Sequence, residues 1–384
     1  MKKKVIQFNY LFAFLGISTC IYSTFIMPYL KMKGFTITEL GIFSSINITM
    51  AILGQFIFGY LCDAAGTIKK IFIFNVVALL AIALTMELNS KTALVIGFIA
   101  AIGFFQGPLS VLSDSWVLSN EKAVSENFGG IRAWASIGWA VCSIFMGIII
   151  DYFGWKSFFI CYMLMLLVTL SVTMKISDVK RTRKLSEKRV RVNPFVLFKD
   201  YRYVFVVLIM LLLTTTHQTM SFLYVKINSL GGTSKQIGIS AFVMASCELP
   251  VFFGAKRLTK KYRLTSLLLF CSSMYIIRMV LLGIASTYTE VIVLGILQMF
   301  TFAVYVIAYK YFIVGIAPDN LQVTAQSVAT SICAIGSIIF SSAAGYLIDK
   351  HGINTLYLVG AVTSTIATIL ICIYTIFNKK ARME

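Results

Sequence analysis

GYLCDAAGTIKK, residues 59–70, stands at the foot of a long apolar stretch, and its GxxxDxxG pattern comes back twice. The copies are GIIIDYFG at 147–154 and GYLIDKHG at 345–352, which begin 198 residues apart, at 147 and 345. Ser136-Ile137-Gly138 and Ala334-Ile335-Gly336 keep the same offset, about half of the 384 residues, so the second half of the chain repeats the first. Within the first half the phrase falls at opposite ends of apolar stretches, as inverted three-span units would place it. Such a duplication in a membrane chain points to a transporter with a solute site between its halves.

Composition requires the membrane. With 59% hydrophobic and 13% charged residues and a mean hydropathy of +0.87, the chain has too little polar surface to cover a soluble globule. Each crossing takes about 20 apolar residues. Twelve spans are expected, at 8–30, 38–62, 71–88, 92–118, 131–150, 156–175, 203–226, 236–256, 264–285, 288–312, 323–347 and 353–377. The fold class is therefore an all-α membrane protein of two six-helix pseudo-repeats. Residues 1–175 form the N-terminal bundle, 176–202 a basic linker and 203–384 the C-terminal bundle.

The formal charge of +19 would suit nucleic acid if it were gathered on one face, but its placement is that of a topology signal. With the N-terminus in the cytoplasm, the inside segments hold Lys2 to Lys4, Lys69, Lys70, Lys122, Arg132 and the basic runs within 175–202 and 256–263. Lys310, Lys379, Lys380 and Arg382 join them. The outside holds only Lys31, Lys33, Lys91, Lys156, Lys226, Lys235 and Lys350. Both termini are expected in the cytoplasm of a cell-membrane protein that needs no nucleic-acid partner.

The eight cysteines lie in or at the ends of spans without paired spacing, which suits apolar packing and offers no zinc site or disulfide framework. No cofactor is implied. The apolar stretch after MKKK is too long for a signal peptide and lacks a small-residue cleavage site, so it is taken as the first span.

In the opening phrase Gly59 permits close helix contact, Asp63 can accept hydrogen bonds from the N–H groups of a nearby helix start, and Gly66 permits a tight turn. The phrase resembles the loop signature of the major facilitator superfamily, Gly-x-Leu-x-Asp-(basic)-x-Gly-(basic)-(basic), through Gly59, Leu61, Asp63, Gly66, Lys69 and Lys70. It departs at Ala64, where the basic residue is missing, and at Thr67-Ile68, which delay the positive charges. The resemblance implies a gating loop with weakened charge contacts.

Four charged residues fall within spans, where each costs about 2.5–3.5 kcal/mol on insertion scales unless a partner or water cavity receives it. They are Asp114, Arg132, Glu248 and Arg278. Arg132, Ser136, Trp139 and Ser143 follow at steps of four, three and four, so they share one helix face. A carboxylate, a fork of N–H donors and an aromatic ring suit a hydroxylated ring solute. Glu248 and Arg278 lie midway along spans 8 and 9, and a change in their separation would let the glutamate take up and release a proton. For both pairs the competing reading is a structural ion pair. His217, midway along span 7, is either a second titratable group or a hydrogen-bonded core residue. Asn47, Asn75 and Gln106 are expected as interhelical hydrogen bonds.

The stretches PLSVLSDSWVLSNEKAVSENFGGIRAWASIGW (108–139), CELPVFF (247–253), IIRMVLLG (276–283) and ILQMFTFAVYVIAYKYF (296–312) resemble the lactose permease and phenylpropionate permease-like branch of that superfamily. The resemblance implies that Asp114 and Arg132 hydrogen-bond the solute and that Trp139 offers it an aromatic face. Sugar–proton symporters of the branch carry a His and then a carboxylate in span 10, where this chain has Gln298 and Thr301. Neither titrates near neutrality, which leaves Glu248 as the carrier if protons are coupled. Gln298, Thr301 and Tyr305 share a face and could line the cavity.

These readings favour an uptake transporter, working as a monomer on a sugar, glycoside or nucleoside by proton symport. The open alternatives are a drug or metabolite exporter, an aromatic-carboxylate permease and a non-transporting sensor. Span 5 lacks the Pro-containing phrase usual in exporters. An enzyme would need a nucleophile with a base in reach or a metal cluster, and His217 and His351 stand without partner motifs.

Overall fold

The structure, a computed structural model, describes residues 2–86, 92–178, 194–318 and 321–380. Its long apolar helices are α1 (Lys2–Met32), α2 (Ile37–Ala65), α3 (Lys69–Met86), α4 (Thr92–Leu118), α5 (Phe128–Phe153) and α6 (Lys156–Lys175). They continue as α7 (Tyr201–Ser229), α8 (Ser234–Phe253), α9 (Leu264–Ile284), α10 (Tyr288–Ile316), α11 (Gln322–His351) and α12 (Ile353–Lys380). Among the described residues eleven helices are long and apolar enough to cross a membrane. The twelfth, α3, is an 18-residue helix that opens on Lys69 and Lys70. No strand occurs among the described residues. The central part of the basic segment, 179–193, lies outside them.

Helix ends follow local chemistry. Thr36 and Glu39 form a capping box at the start of α2, with Glu39 N donating to Thr36 Oγ1 (3.2 Å) and Thr36 N to the Glu39 carboxylate (2.8 Å). Gly66, Gly154 and Gly352, which close the three copies of the opening phrase, all have positive φ, at 64°, 75° and 83°. Gly154 and Gly352 share one conformation, with ψ of 177° and 165°. Each donates its N–H to the carbonyl four residues back, Ile150 and Ile348, at 2.8 Å. The duplication seen in the residues is thus repeated in backbone geometry, and a side chain at any of these turns would be strained.

The described chain gathers into two compact units. Unit 1 holds Met1–Glu187 together with Thr233–Phe242, and unit 2 holds Lys188–Gly232 and Val243–Glu384. In unit 1, α1 packs along α5 and α6, α2 along α4, and α3 along α4 and α6. In unit 2 the same pattern recurs six helices on: α7 packs along α11 and α12, and α9 along α10 and α12. One pairing is not repeated. α2 and α4 run in close contact, but α8 and α10 do not.

Small residues set the tight pairings of unit 1. A Cβ on Gly16 would stand 2.2 Å from Ala135 O, and one on Gly138 2.4 Å from Ala13 O, so α1 and α5 touch backbone to backbone. Gly54, Gly103 and Gly107 do the same for α2 and α4. Gly59, expected at such a contact, faces open space. It lies one residue, about 100° of helix, round from the face that carries Gly54 and Phe58 to α4.

The roles read from the opening phrase are filled at its second copy. Gly147 brings α5 against the first residues of α8, where a Cβ would stand 2.5 Å from Ser234 O. Asp151 then accepts the N–H groups of Ser234 (3.1 Å) and Lys235 (3.0 Å) and the hydroxyl of Thr233. A carboxylate at a helix N-terminus satisfies donors the helix leaves open. Asp151→Ala is expected to cost about 2 kcal/mol. Thermal unfolding of the detergent-solubilised protein checks this, and an unchanged midpoint would show that the cap contributes nothing.

Candidate functional site

The polar centre of unit 2 is built on α9. Arg278 is 1% exposed. Its Nη1 donates to Gln298 Oε1 and to Thr301 Oγ1 (3.0 Å), and its Nη2 lies 3.4 Å from Met244 Sδ. Gln298 Nε2 in turn donates to Glu248 Oε1 at 2.8 Å. Gln298 therefore stands between the arginine and the glutamate, its carbonyl end toward the cation and its amide end toward the carboxylate. That orientation is the one its two neighbours demand. Among the described residues no carboxylate lies within ion-pair distance of Arg278, and its Nε has no hydrogen-bond partner. A cation so buried and so incompletely matched is costly, and such groups mark functional positions in membrane proteins.

The two helices beside it are interrupted at this depth. α10 passes through a 3-10 turn at Gly295–Met299, and Thr301, at φ −96° and ψ −90°, breaks the helix before Phe302. α7 passes through a 3-10 turn at Thr219–Phe222 directly after His217 and Gln218. Discontinuous helices of this kind accompany solute and ion sites in transporters. His217 Nδ1 is 3.3 Å from Tyr275 Oη, and its ring stacks on Phe302 with centroids 4.1 Å apart. Gln298, Thr301 and Tyr305 are 5%, 0% and 3% exposed, so all three are enclosed in the unit. Tyr305 Oη donates to Met210 O (3.1 Å) and shares a 2.7 Å bond with Thr214, which ties α10 to α7.

In unit 1, Arg132 Nε is 3.7 Å from Asp114 Oδ1, and both side chains are partly exposed. The pair is too long for a hydrogen bond, and Asp114 Oδ1 has no such partner among the described residues. Trp139 is half-buried on the same face of α5. Ser143, next along that face, is fully buried and bonded to Ala140 O.

The loop between α2 and α3 is tied to the end of α6. Lys69 Nζ donates to Met174 O (2.8 Å) and Ile176 O (2.7 Å), and Asp178 accepts from Lys69 N (3.2 Å) and from the Thr67 hydroxyl. Lys69 so caps the C-terminus of α6 while Asp178 caps the N-terminus of α3. Lys70 is exposed, its N–H bonded to Thr67 Oγ1 at 3.3 Å. Asp178 was hidden in the sequence inside the basic segment. It is one of three acids, with Glu187 and Asp200, in a segment dominated by cations, and nothing in its local sequence set it apart.

Other polar residues behave as structural bonds. Asn47 Nδ2 donates to Tyr22 Oη (3.0 Å) and Ile99 O (3.2 Å), and Gln106 accepts from Tyr162 Oη (2.9 Å). Asn75 instead bonds back to Ile71 O of its own helix at 2.8 Å. Lys226, counted from the sequence among the outside charges, is 4% exposed and donates to Asn354 Oδ1 at 2.9 Å. Sequence reasoning also missed Met244 and Tyr275, whose apolar neighbours give no hint of a polar duty. No cluster of three metal-ligating side chains occurs among the described residues.

Comparison with known proteins agrees with this architecture. The chain is 22% identical to the maltose permease of Geobacillus stearothermophilus over 267 residues, 69% of this chain and 68% of that one. It is 22% identical to the uncharacterized transporter YwbF of Bacillus subtilis (strain 168) over 358 residues, 92% of this chain and 89% of that one. The solved structure of the nucleoside transporter NupG superposes with a TM-score of 0.83 at 14% identity, covering 98% and 99% of the two chains. A bacterial homologue of the lysosomal transporter Spinster, in an inward-facing and unoccupied conformation, gives 0.70 at 13% identity over 97% and 95%. These superpositions establish the major facilitator fold, and the MFS_1 like family matches residues 4–378. The chain is therefore a multi-pass membrane transporter that belongs to the MFS_1 like family.

Proposed function

We propose that this transporter imports a small hydroxylated ring solute, a nucleoside or a glycoside, by alternating access coupled to protons. The observation that carries the proposal is the Arg278–Gln298–Glu248 chain, a buried cation and a partly buried carboxylate linked through one amide. In this reading the solute displaces Gln298 or competes with it for Arg278, and the freed Glu248 exchanges its proton. Asp114, Arg132 and Trp139 supply the polar and aromatic contacts of the N-terminal half. Maltose and nucleosides, named in two of the relatives, both present hydroxylated rings. The phrases at 108–139 and 296–312 support the lactose permease and phenylpropionate permease-like branch. The proposed setting is the cell membrane, with both termini cytoplasmic and a single chain as the working unit.

Proteoliposomes under an imposed pH gradient test this reading with labelled nucleosides and glycosides. Wild-type uptake is expected to rise when the outside is made acid relative to the vesicle interior. Glu248→Gln is expected to transport at a rate that no longer responds to the gradient. A Glu248→Gln variant that keeps the wild-type response would remove Glu248 from coupling, and the absence of uptake of either class would refute the substrate assignment.

A further inference from the structure

Unit 2 contains an apolar cavity of about 490 Å³ where α8 and α10 fail to pack. Pro250, Leu258, Tyr262, Phe270, Phe300 and Val304 form most of its wall. It exists because unit 2 lacks the close helix contact that Gly54, Gly103 and Gly107 make between α2 and α4 in unit 1. On α10 contact with α8 is made by side chains instead: Gly295 meets Val243 and Met244, and Gln298 bonds Glu248. Beyond Gly254 the chain turns into a short helix, Ala255–Lys261, that closes one end of the cavity through Leu258. Arg257, Lys260, Lys261 and Arg263 on and after this helix are exposed. Among the described residues none of the four has a carboxylate within ion-pair distance. Lys261 Nζ stands 5.3 Å above the ring of Tyr262, which also lines the cavity, so the cationic rim and the apolar wall meet at one residue.

We propose that this crevice is a binding site for an anionic phospholipid, with one acyl chain in the cavity and the headgroup on Arg257, Lys260 and Lys261. The apolar wall suits a hydrocarbon chain and offers almost nothing to a polar solute. The unpaired cations at its mouth select a headgroup with net negative charge over a zwitterionic one. Since Pro250 and Phe300 are neighbours in sequence of Glu248 and Thr301, an occupied cavity props α8 against α10 beside the polar centre.

Native mass spectrometry of the full-length protein, titrated with phosphatidylglycerol or phosphatidylcholine of the same chains, tests the site. Wild-type protein is expected to hold phosphatidylglycerol more tightly. Arg257→Gln, Lys260→Gln and Lys261→Gln are each expected to weaken phosphatidylglycerol roughly fivefold and to leave phosphatidylcholine unchanged. These side chains are exposed, so the variants should fold as wild type does. Ser266→Phe, which fills the cavity, is expected to weaken both lipids. Equal binding of the two lipids by the wild type, or wild-type affinity in the charge variants, would overturn the proposal. Displacement of the lipid by soluble glycerol phosphate at matched concentration would overturn the acyl-chain part of it.

Discussion

Arg278→Leu is expected to lower initial uptake by ~100-fold while changing unfolding stability by less than about 2 kcal/mol. The uptake estimate comes from the bonds of the guanidinium. Its Nη1 holds Gln298 and Thr301 together, and a hydrogen bond to a charged group is worth about 1.5–3 kcal/mol. The small stability change follows from the opposing terms. Leucine removes a buried cation that lacks a carboxylate partner, but it leaves Gln298 Oε1 and Thr301 Oγ1 without their donor. Arg278→Lys keeps the charge and loses the fork that reaches Gln298, Thr301 and Met244 at once, so it should fail nearly as badly. Uptake in proteoliposomes, set beside thermal unfolding of the same preparations, separates the two effects. If both variants unfold in proportion to their loss of uptake, Arg278 is a structural residue.

The largest stability effects are expected at the crossing of α1 and α5. Gly16→Val and Gly138→Val should each leave little folded protein in the membrane. A Cβ at Gly16 would stand 2.2 Å from Ala135 O, and one at Gly138 2.4 Å from Ala13 O, distances that no rotamer can relieve because both obstacles are backbone. Overpacking a core usually costs about 1–3 kcal/mol, and a clash between two helix backbones lies at the upper end or beyond. Valine is the sharper probe, since its branched Cβ adds bulk at the same atom. Gly59→Val is the control, because nothing lies within 4 Å of its Cβ. Yield of monodisperse protein after solubilisation reads the difference. Normal yield for both contact variants would mean that α1 and α5 can separate at little cost.

Most of the architecture was legible because membrane helices follow length and hydropathy. The expected span 353–377 became Ile353–Lys380, and 156–175 became Lys156–Lys175. Interruptions were not legible. Nothing in LGILQMFTF announces a 3-10 turn, since none of these residues forbids an α-helix, and the bonds at the break come from Arg278 of α9. The polar centre was half legible. Glu248 and Arg278 stood out as charges in apolar spans, but the amide of Gln298 joins them only once α8, α9 and α10 are assembled.

The sequence by itself determined the class, the duplication and the turns. Apolar length requires a bilayer, a repeated phrase requires a repeated fold, and glycine at 66, 154 and 352 permits the positive φ found there. Tertiary structure alone decided which partner each copy of that phrase meets: Thr67 and Lys69 of the first are tied to the end of α6. Gly147 and Asp151 press and cap the start of α8, whereas Gly59, in the same GxxxDxxG pattern, faces open space. It also decided that α8 and α10 pack less closely than α2 and α4 do. Local sequence sets what a segment can do, but a contact needs two segments. The second partner is chosen by the packing of the whole unit.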